Sequence, residues 1–214
     1  MEKTDYSLMY VTDERITDDV LFFNILEASL EGGVTIIQLR EKNLDTKTFY
    51  NRAKKAKSLC DKYAVPIIIN DRIDIALAID ADGVHIGQKD MPVSIARKLL
   101  GKDKIIGLSV SNTQQAIDTS TQGIDYIGIS PIFGTATKTI DLDEPLGLNG
   151  LIKIKEISTK PIVCIGGINK ENTTSVIQNG ADGIAVISAI SQAISPEKET
   201  RTLKNSICKT GTKK

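Results

Sequence analysis

Short apolar runs rich in Ile, Val and Leu alternate along the chain with longer segments in which apolar residues recur at helical spacing. The short runs are nearly continuous in apolar residues, which is typical of parallel strands covered on both faces. Strands are predicted over residues 8–11, 35–39, 66–69, 83–86, 104–108, 126–129, 161–165 and 183–187. Helices are predicted over residues 17–30, 45–63, 73–79, 92–100, 113–122, 148–157, 172–178 and 188 to about 203.

The rhythm of these strand–helix units predicts a single (β/α)₈ TIM barrel. An internal repeat supports it: Ala81-Asp82-Gly83-Val84 recurs as Ala181-Asp182-Gly183-Ile184, each time before a strand. The aspartates of this repeat fall at the end of the barrel away from the functional loops, so we assign them to stability. An open doubly wound sheet is the alternative, but Thr12-Asp13-Glu14-Arg15 after the first strand is not its Gly-rich fingerprint. We expect one catalytic barrel domain over residues 1–203 and a flexible basic tail over residues 204–214.

Composition and charge exclude several classes of function. The chain has 214 residues with 27 basic and 27 acidic side chains, so it lacks the positive field of a nucleic-acid-binding protein. Aromatic residues make up only 4%, which argues against a base-stacking surface. No apolar run approaches the roughly 20 residues of a membrane span, and no signal peptide is evident. Cys60, Cys164 and Cys208 are far apart, which favours reduced thiols and a cytoplasmic protein.

The chemistry of a barrel of this class lies where its strands end, at their carboxyl side. The polar or glycine residues predicted there are Gln38, Arg40, Lys42, Asn70, Asp71, Gln88, Asp90, Ser109, Thr135, Thr137, Lys138, Gly166, Gly167 and Ser188, with Ile187 beside the last of them. Several have an ordinary structural interpretation. Arg40 and Lys42 would serve equally well as solvated loop charges, and Asp71 as a helix cap. His85 lies inside an apolar strand, and we expect it to be a packed, hydrogen-bonded histidine.

The combination of these residues favours two phosphate-type sites. Asp71 and Asp90 follow successive strands, and paired carboxylates suit Mg²⁺ completed by water and a substrate phosphate. Together with Arg40, Lys42 and Lys138 they predict a metal-bound diphosphate. Across the barrel mouth, the loops after the seventh and eighth strands form the usual phosphate site of this fold. We therefore expect two phosphorylated small-molecule substrates, with no nucleic acid or membrane partner, and the sequence leaves a homo-oligomer open.

Other kinds of catalysis find little support in the residues. The predicted strand interiors contain no lysine for a Schiff base, and Cys164 and His85 lie within different strands. Glu41 is the single glutamate at a strand end, and we expect it to point away from Arg40 and Lys42. The arrangement favours electrophilic catalysis in which diphosphate departs.

In these motifs the chain resembles the thiamine-phosphate synthase family, over about residues 10–190. The matching motifs, specific only jointly, are Gln38-Leu39-Arg40-Glu41-Lys42, Ile69-Asn70-Asp71-Arg72, Gly83-Val84-His85-Ile86-Gly87-Gln88-Lys89-Asp90, Gly107-Leu108-Ser109, Thr135-Ala136-Thr137-Lys138, Ile165-Gly166-Gly167-Ile168 and Val186-Ile187-Ser188. The resemblance implies a transferase of thiamine biosynthesis. It would join 4-amino-2-methyl-5-(diphosphooxymethyl)pyrimidine to 4-methyl-5-(2-phosphooxyethyl)thiazole, or its carboxylated form, through a pyrimidine methylene cation.

The resemblance also implies a role for each matching residue. The pyrimidine diphosphate would be bound by Gln38, Arg40, Lys42, Asn70, Ser109 and Lys138, of which Arg40, Lys42, Ser109 and Lys138 would be catalytic. Asp71 and Asp90 would hold the Mg²⁺ cofactor. The thiazole phosphate would be bound by Thr135, Thr137, Gly167, Ile187 and Ser188.

The chain departs from the family pattern at three positions. Ser130 stands where the family often has Gly, and Gly134 where it often has Pro, which would loosen the loop after the sixth strand. Ser111 stands where relatives commonly have His. The related thiazole tautomerase resembles this fold but uses a His there, so the synthase is favoured over that runner-up. A non-catalytic sensor barrel is a further alternative, but a sensor of a monophosphate needs no metal-binding carboxylates.

Overall fold

The computed structural model describes residues 4–119, 123–135 and 144–211, and within them the predicted (β/α)₈ barrel is confirmed. The strands are all parallel, follow one another in chain order, and close where the last pairs with the first. Their bounds are β1 Leu8–Val11, β2 Ile36–Leu39, β3 Ile67–Asn70, β4 Gly83–Ile86, β5 Ile105–Val110, β6 Tyr126–Ile129, β7 Ile162–Cys164 and β8 Gly183–Val186. Each lies within two residues of its predicted bounds, because apolar runs end where the chain leaves the core.

Helices follow the strands as the periodicity predicts, with one difference near the C-terminus. Their bounds are α1 Asp19–Glu31, α2 Thr46–Lys62, α3 Ile73–Ala78, α4 Val93–Leu100, α5 Thr113–Thr119, α6 Gly147–Ile157, α7 Thr173–Gln178, α8 Ser188–Ser191 and α9 Pro196–Gly211. The single helix predicted from residue 188 is two helices. The second begins at Pro196, because proline suits a first helical position and not a helix interior.

Residues 204–211, which the sequence assigns to the basic tail, continue helix α9. Leu203 and Ile207 are buried against the helix layer, so the apolar face of α9 extends past the predicted boundary. Lys204 Nζ donates to Ser7 Oγ at 2.6 Å and to Asp5 Oδ2 at 3.1 Å. The barrel domain therefore includes this helix, which contacts α1, α7 and α8.

Two apolar layers make up the core. Most strand side chains point outward and pack beneath the helices, while a smaller set fills the inside of the barrel. The inner set comprises Met9, Val11, Ile36, Ile68, Tyr126, Val163 and Ala185. A filled interior leaves the loops after the strands as the place where a ligand can bind. In the part of the chain that is described, none of the helices has the length and apolar character needed to cross a bilayer.

The repeated Asp-Gly step closes the opposite end of the barrel, as its assignment to stability predicts. Asp82 Oδ2 accepts a hydrogen bond from the backbone N–H of Ile67, and Asp182 Oδ2 accepts one from Ile162, both at 2.9 Å. Each aspartate thus satisfies the first amide of the preceding strand, which lacks a ladder partner. The following glycine is required by space, because a Cβ at Gly183 would lie 1.8 Å from the carbonyl oxygen of Tyr6.

Replacing Asp182 by Ala is expected to lower the free energy of unfolding by about 1–3 kcal/mol, because it leaves the buried amide of Ile162 without its hydrogen-bond acceptor. Chemical denaturation measures this loss, and kcat/KM well below the melting temperature should not change. Asp182 also pairs with the half-exposed Lys155, so Lys155→Met is the control and should cost under about 1 kcal/mol. Equal losses in the two variants would show that the ion pair, and not the amide cap, is the stabilising contact.

Candidate active site

Two cations expected at the end of β2 enter the barrel mouth, and each is paired with a carboxylate. Lys42 Nζ forms an ion pair with Asp71 Oδ2, and an Arg40 guanidinium nitrogen lies 2.7 Å from Glu14 Oε1. Lys42 is about half exposed whereas Arg40 is largely buried. These contacts argue against simple solvated loop charges. Both cations are held at the mouth, with carboxylates that balance their charge.

The backbone between these cations is held by Glu41, which points outward as predicted. Glu41 Oε1 accepts a hydrogen bond from Arg52 on α2 at 2.7 Å, and both side chains are almost completely buried. Because Glu41 faces the helix layer, the residues on either side of it face the barrel mouth.

Glu14 is a site residue that the sequence analysis missed. It lies in the loop after β1, its Oε1 pairs with Arg40, and its buried Oε2 has no hydrogen-bond partner among the described residues. Its place just after a strand end is the signal that could have found it. Burying a carboxylate oxygen without a hydrogen bond costs free energy. The surrounding structure therefore holds Glu14 beside Arg40 although Oε2 loses its hydration there.

Asp71 and Asp90 lie side by side, within hydrogen-bonding reach of each other. Partial burial raises the pKa of Asp90 above its ordinary value, and the adjacent Asp71 raises it further. Asp90 Oδ2 also accepts a hydrogen bond from Gly87 N at 2.6 Å, which fixes the loop after β4. The helix-cap interpretation of Asp71 is wrong, because the first turn of α3 has no side-chain cap.

The carboxylate pair fits a hard divalent cation. No group of three or more His, Cys, Asp or Glu side chains with metal-binding geometry occurs among the described residues, so Asp71 and Asp90 stand as a pair. Mg²⁺ is commonly bound by one or two carboxylates, with water and substrate phosphates as its other ligands. A bound Mg²⁺ would compensate the negative charges of Asp71 and Asp90, whose proximity contributes to the raised pKa of Asp90. The oxygen-only donor set excludes a preference for a softer metal.

Gln38, Asn70 and Ser109 line the inner wall of the mouth. Gln38 is the penultimate residue of β2 and Asn70 the last residue of β3, and both are buried, whereas Ser109 lies within β5 and is partly exposed. Ser109 Oγ lies 2.9 Å from His85 Nε2, and Gln88 Nε2 donates to the Ser109 carbonyl at 2.6 Å. The expectation that His85 is packed and hydrogen-bonded is confirmed.

On the other side of the mouth, a cavity of about 230 Å³ opens between the loops after β7 and β8. It brings together four of the predicted site residues, Thr135, Gly167, Ile187 and Ser188, together with Gly166. Gly166 and Gly167 have φ angles of 107° and 62°, which only glycine adopts readily. The turn therefore lines the cavity with backbone in a conformation that other residues adopt poorly.

Other lining residues of this cavity escaped the sequence analysis. Asn169 and Gln192 carry amide side chains at its rim, and they lie four or more residues after the strand ends. The predicted residues Thr137 and Lys138 lie outside the described part of the chain.

A closed barrel with a phosphate-type cavity on one side of its mouth and paired carboxylates and cations on the other defines a (β/α)₈ enzyme that handles phosphorylated molecules. The family model described as thiamine monophosphate synthase matches residues 8–190. The chain belongs to this family and is a transferase of thiamine biosynthesis.

Individual relatives agree with the family match. The chain is 49% identical over 201 residues to a thiamine-phosphate synthase of Clostridium novyi, covering 94% of this chain and 98% of that one. It is 53% identical over 186 residues to one from Clostridium botulinum, covering 87% and 90%. Among solved structures, a thiamine phosphate pyrophosphorylase from Pyrococcus furiosus superposes with a TM-score of 0.86 at 38% identity, covering 97% of this chain and 98% of that one. The predicted family and enzyme class are thereby confirmed.

Proposed function

We propose that this enzyme transfers the pyrimidinylmethyl group of 4-amino-2-methyl-5-(diphosphooxymethyl)pyrimidine to the ring nitrogen of a thiazole phosphate, which yields thiamine phosphate and diphosphate. The observation that carries this proposal is the presence of two unlike polar sites on opposite sides of one barrel mouth. One side offers cations beside a carboxylate pair, and the other offers glycine amides and hydroxyls in a cavity. A hydrolase would not need the second site.

We call the side of the mouth that carries Arg40, Lys42, Asp71 and Asp90 the diphosphate side. When the substrate binds there, its phosphate oxygens would replace carboxylates as partners of the two cations. Arg40 and Lys42 are balanced by Glu14 and Asp71 in this structure, so their positions are set before an anion arrives. Lys138 would be a third cation on this side. Gln38 and Asn70 would hydrogen-bond the pyrimidine, since amides at nearly buried strand ends can orient a polar ring.

Asp71 and Asp90 would hold Mg²⁺ on the same side. The ion would supply positive charge against the diphosphate oxygens. Lys42 would then turn from Asp71 toward the phosphate, because one carboxylate oxygen cannot serve both cations equally well. This exchange is supported by the direct Lys42–Asp71 contact.

Thr135, Thr137, Gly167, Ile187 and Ser188 would bind the thiazole phosphate on the opposite side. Anion binding by backbone amides and hydroxyls after β7 and β8 is common in this fold. The two substrates would then meet above the inner apolar layer of the barrel.

The chemistry proposed is a dissociative substitution. The carbon–oxygen bond breaks with its electron pair moving to the departing diphosphate, and the aminopyrimidine stabilises the methylene cation that forms. The thiazole nitrogen then attacks this carbon. Arg40, Lys42, Ser109 and Lys138 would stabilise charge on the leaving group, so positioning and electrostatics supply the catalysis and no covalent enzyme intermediate is needed.

The proposal is tested by mixing both phosphorylated substrates with the purified enzyme and Mg²⁺, and following thiamine phosphate and diphosphate by chromatography. Stoichiometric formation of both products is expected. Diphosphate or monophosphate release without thiamine phosphate would contradict it, as would isomerisation of the thiazole alone.

Replacing Gly167 by Ala is expected to raise the KM for the thiazole phosphate about tenfold or more, with a smaller effect on the KM for the pyrimidine diphosphate. A Cβ at this position would lie 2.5 Å from the Gly134 carbonyl oxygen and 2.9 Å from Phe133 Cβ, so it displaces the loop after β6. Steady-state kinetics with each substrate varied in turn measures the effect.

Gly180 provides a matched control for this substitution. Its φ angle is 109°, so an alanine is strained there too, but the three atoms nearest to its Cβ would all belong to the Lys155 side chain, which is not part of the cavity lining. Gly180→Ala should therefore lose stability without a change in either KM. A similar rise in both KM values in the two variants would mean that strain, and not the cavity, accounts for the effect.

A further inference from the structure

A polar trio crosses three neighbouring strands beneath the diphosphate side. His85 Nδ1 lies 2.7 Å from the Tyr126 hydroxyl on β6, and His85 Nε2 lies 2.9 Å from Ser109 Oγ on β5. Tyr126 is fully buried and His85 is 9% exposed, whereas Ser109 reaches the mouth. The trio therefore runs from the apolar interior of the barrel to a residue proposed to touch substrate.

Two glycines make room for the rings of this trio. A Cβ at Gly128 would lie 2.8 Å from His85 Cε1, and a Cβ at Gly107 would lie 2.1 Å from Tyr126 Cζ. Gly107 on β5 faces the ring of Tyr126 on the neighbouring β6, and Gly128 on β6 faces the ring of His85 two strands away on β4. The rings are thus seated by backbone shape as well as by hydrogen bonds, and they have little freedom to turn.

The hydrogen bonds indicate which nitrogen of His85 carries its proton. Burial raises the pKa of Tyr126 well above its ordinary value, so its hydroxyl keeps its proton. Among the described residues, His85 Nδ1 is the acceptor within hydrogen-bonding distance of the buried Tyr126 hydroxyl. A bond in the opposite direction would leave the buried Tyr126 hydrogen without an acceptor, which is costly, so Tyr126 donates to His85 Nδ1. Neutral His85 then carries its hydrogen on Nε2 and donates it to Ser109 Oγ.

We propose that His85 is a positioning residue that makes Ser109 a hydrogen-bond donor to the departing diphosphate. Because Ser109 Oγ accepts from His85, its own hydrogen is directed into the mouth. Gln88, in the same loop as Asp90, donates to the Ser109 carbonyl, so the loop after β4 is fastened to the strand that carries the hydroxyl. The Ser109 hydrogen then needs an acceptor, which a diphosphate oxygen supplies and the pyrimidine amino group does not. This inference rests on the proposed function.

The protonation of His85 can be measured without any substrate. The chain contains a single histidine, so its ¹⁵N ring signals in an untagged, histidine-labelled sample belong to His85 alone. The Nε2–H tautomer is expected to dominate near pH 8, and Tyr126→Phe should weaken that preference. A dominant Nδ1–H tautomer would overturn the proposal, whether or not the enzyme makes thiamine phosphate.

Two substitutions of similar size separate the contacts of His85 in the catalytic assay. A Gln amide nitrogen reaches the place of Nε2 and can still donate to Ser109, whereas an Asn amide reaches the place of Nδ1 and cannot. We expect His85→Asn to lower kcat about 10- to 100-fold with little change in either KM, and His85→Gln to recover most of that loss. Equal kcat values for the two variants, with melting temperatures that match, would overturn the proposal.

The Ser109→Ala background supplies the final comparison. If His85 acts through Ser109, then His85→Asn should change kcat less than about threefold when Ser109 is already Ala. The same 10- to 100-fold loss in both backgrounds would show that His85 acts by another route. Absence of thiamine phosphate from the unsubstituted enzyme would instead contradict the proposed function, and the tautomer measurement would still stand.

Discussion

Asp90→Asn is expected to lower kcat/KM at least about 100-fold at moderate Mg²⁺ concentration, which corresponds to about 2.7 kcal/mol of transition-state stabilisation. Asp71→Asn is expected to do the same. Asp71 and Asp90 lie together, so the loss of either charge removes half of the proposed metal site. Asparagine keeps an oxygen that can accept the hydrogen bond from Gly87, so the loop after β4 should keep its shape.

The measurement is a Mg²⁺ titration of steady-state activity, combined with binding of the metal to the enzyme in the absence of substrate. Asp74→Asn is the matched control, because Asp74 is an exposed neighbour that pairs with Arg72 and should not alter the Mg²⁺ dependence. Full activity of Asp90→Ala in excess EDTA would refute the assignment. Partial recovery of Asp90→Asn at high Mg²⁺ would support it, since one carboxylate remains.

Arg52→Met is expected to lower the free energy of unfolding by about 3–5 kcal/mol, the largest stability effect that we predict. Glu41 and Arg52 are 2% and 4% exposed, and removing Arg52 leaves the Glu41 carboxylate buried without its partner. Burial already raises the pKa of Glu41, and Arg52 opposes that rise. Without Arg52 the folded-state pKa of Glu41 rises further, so the loss should grow as the pH rises through that pKa and shrink in acid.

Urea denaturation between pH 4.5 and 7.5 tests this prediction. The double variant Glu41→Leu with Arg52→Met should be more stable than Arg52→Met alone at neutral pH, because no unpaired buried charge remains. Arg201→Met is the control, since Arg201 and Glu197 form an exposed pair one helical turn apart worth under about 1 kcal/mol. A loss for Arg52→Met as small as the control loss would show that water reaches Glu41.

This ion pair also bears on function through the direction of two side chains. Glu41 lies between Arg40 and Lys42, and its pairing with Arg52 keeps the intervening backbone from turning over. We therefore expect Arg52→Met to weaken diphosphate binding as well as stability. The Glu41–Arg52 pair is therefore a buried contact that fixes the positions of two side chains at the barrel mouth.

The local pattern of the chain determines much of this protein. Continuous apolar runs predict the strands, because both faces of each strand are covered, and their carboxyl ends locate the proposed site residues. The Asp-Gly repeat predicts the capped end of the barrel, because an aspartate before a strand can bond the free amide of its neighbour. These features depend on residues that are close in sequence or on rules shared by all parallel barrels.

Contacts between distant residues were decided only by the tertiary structure. The register of neighbouring strands places His85 against Ser109 and Tyr126, and the loop after β1 carries Glu14 to Arg40. Helix α9 extends into the predicted tail because its apolar residues, Ile207 among them, pack against the helix layer. Periodicity shows which side of a helix or strand is apolar. Which residues contact one another depends on strand register and on the closure of the barrel, and these bring together residues that are far apart in sequence.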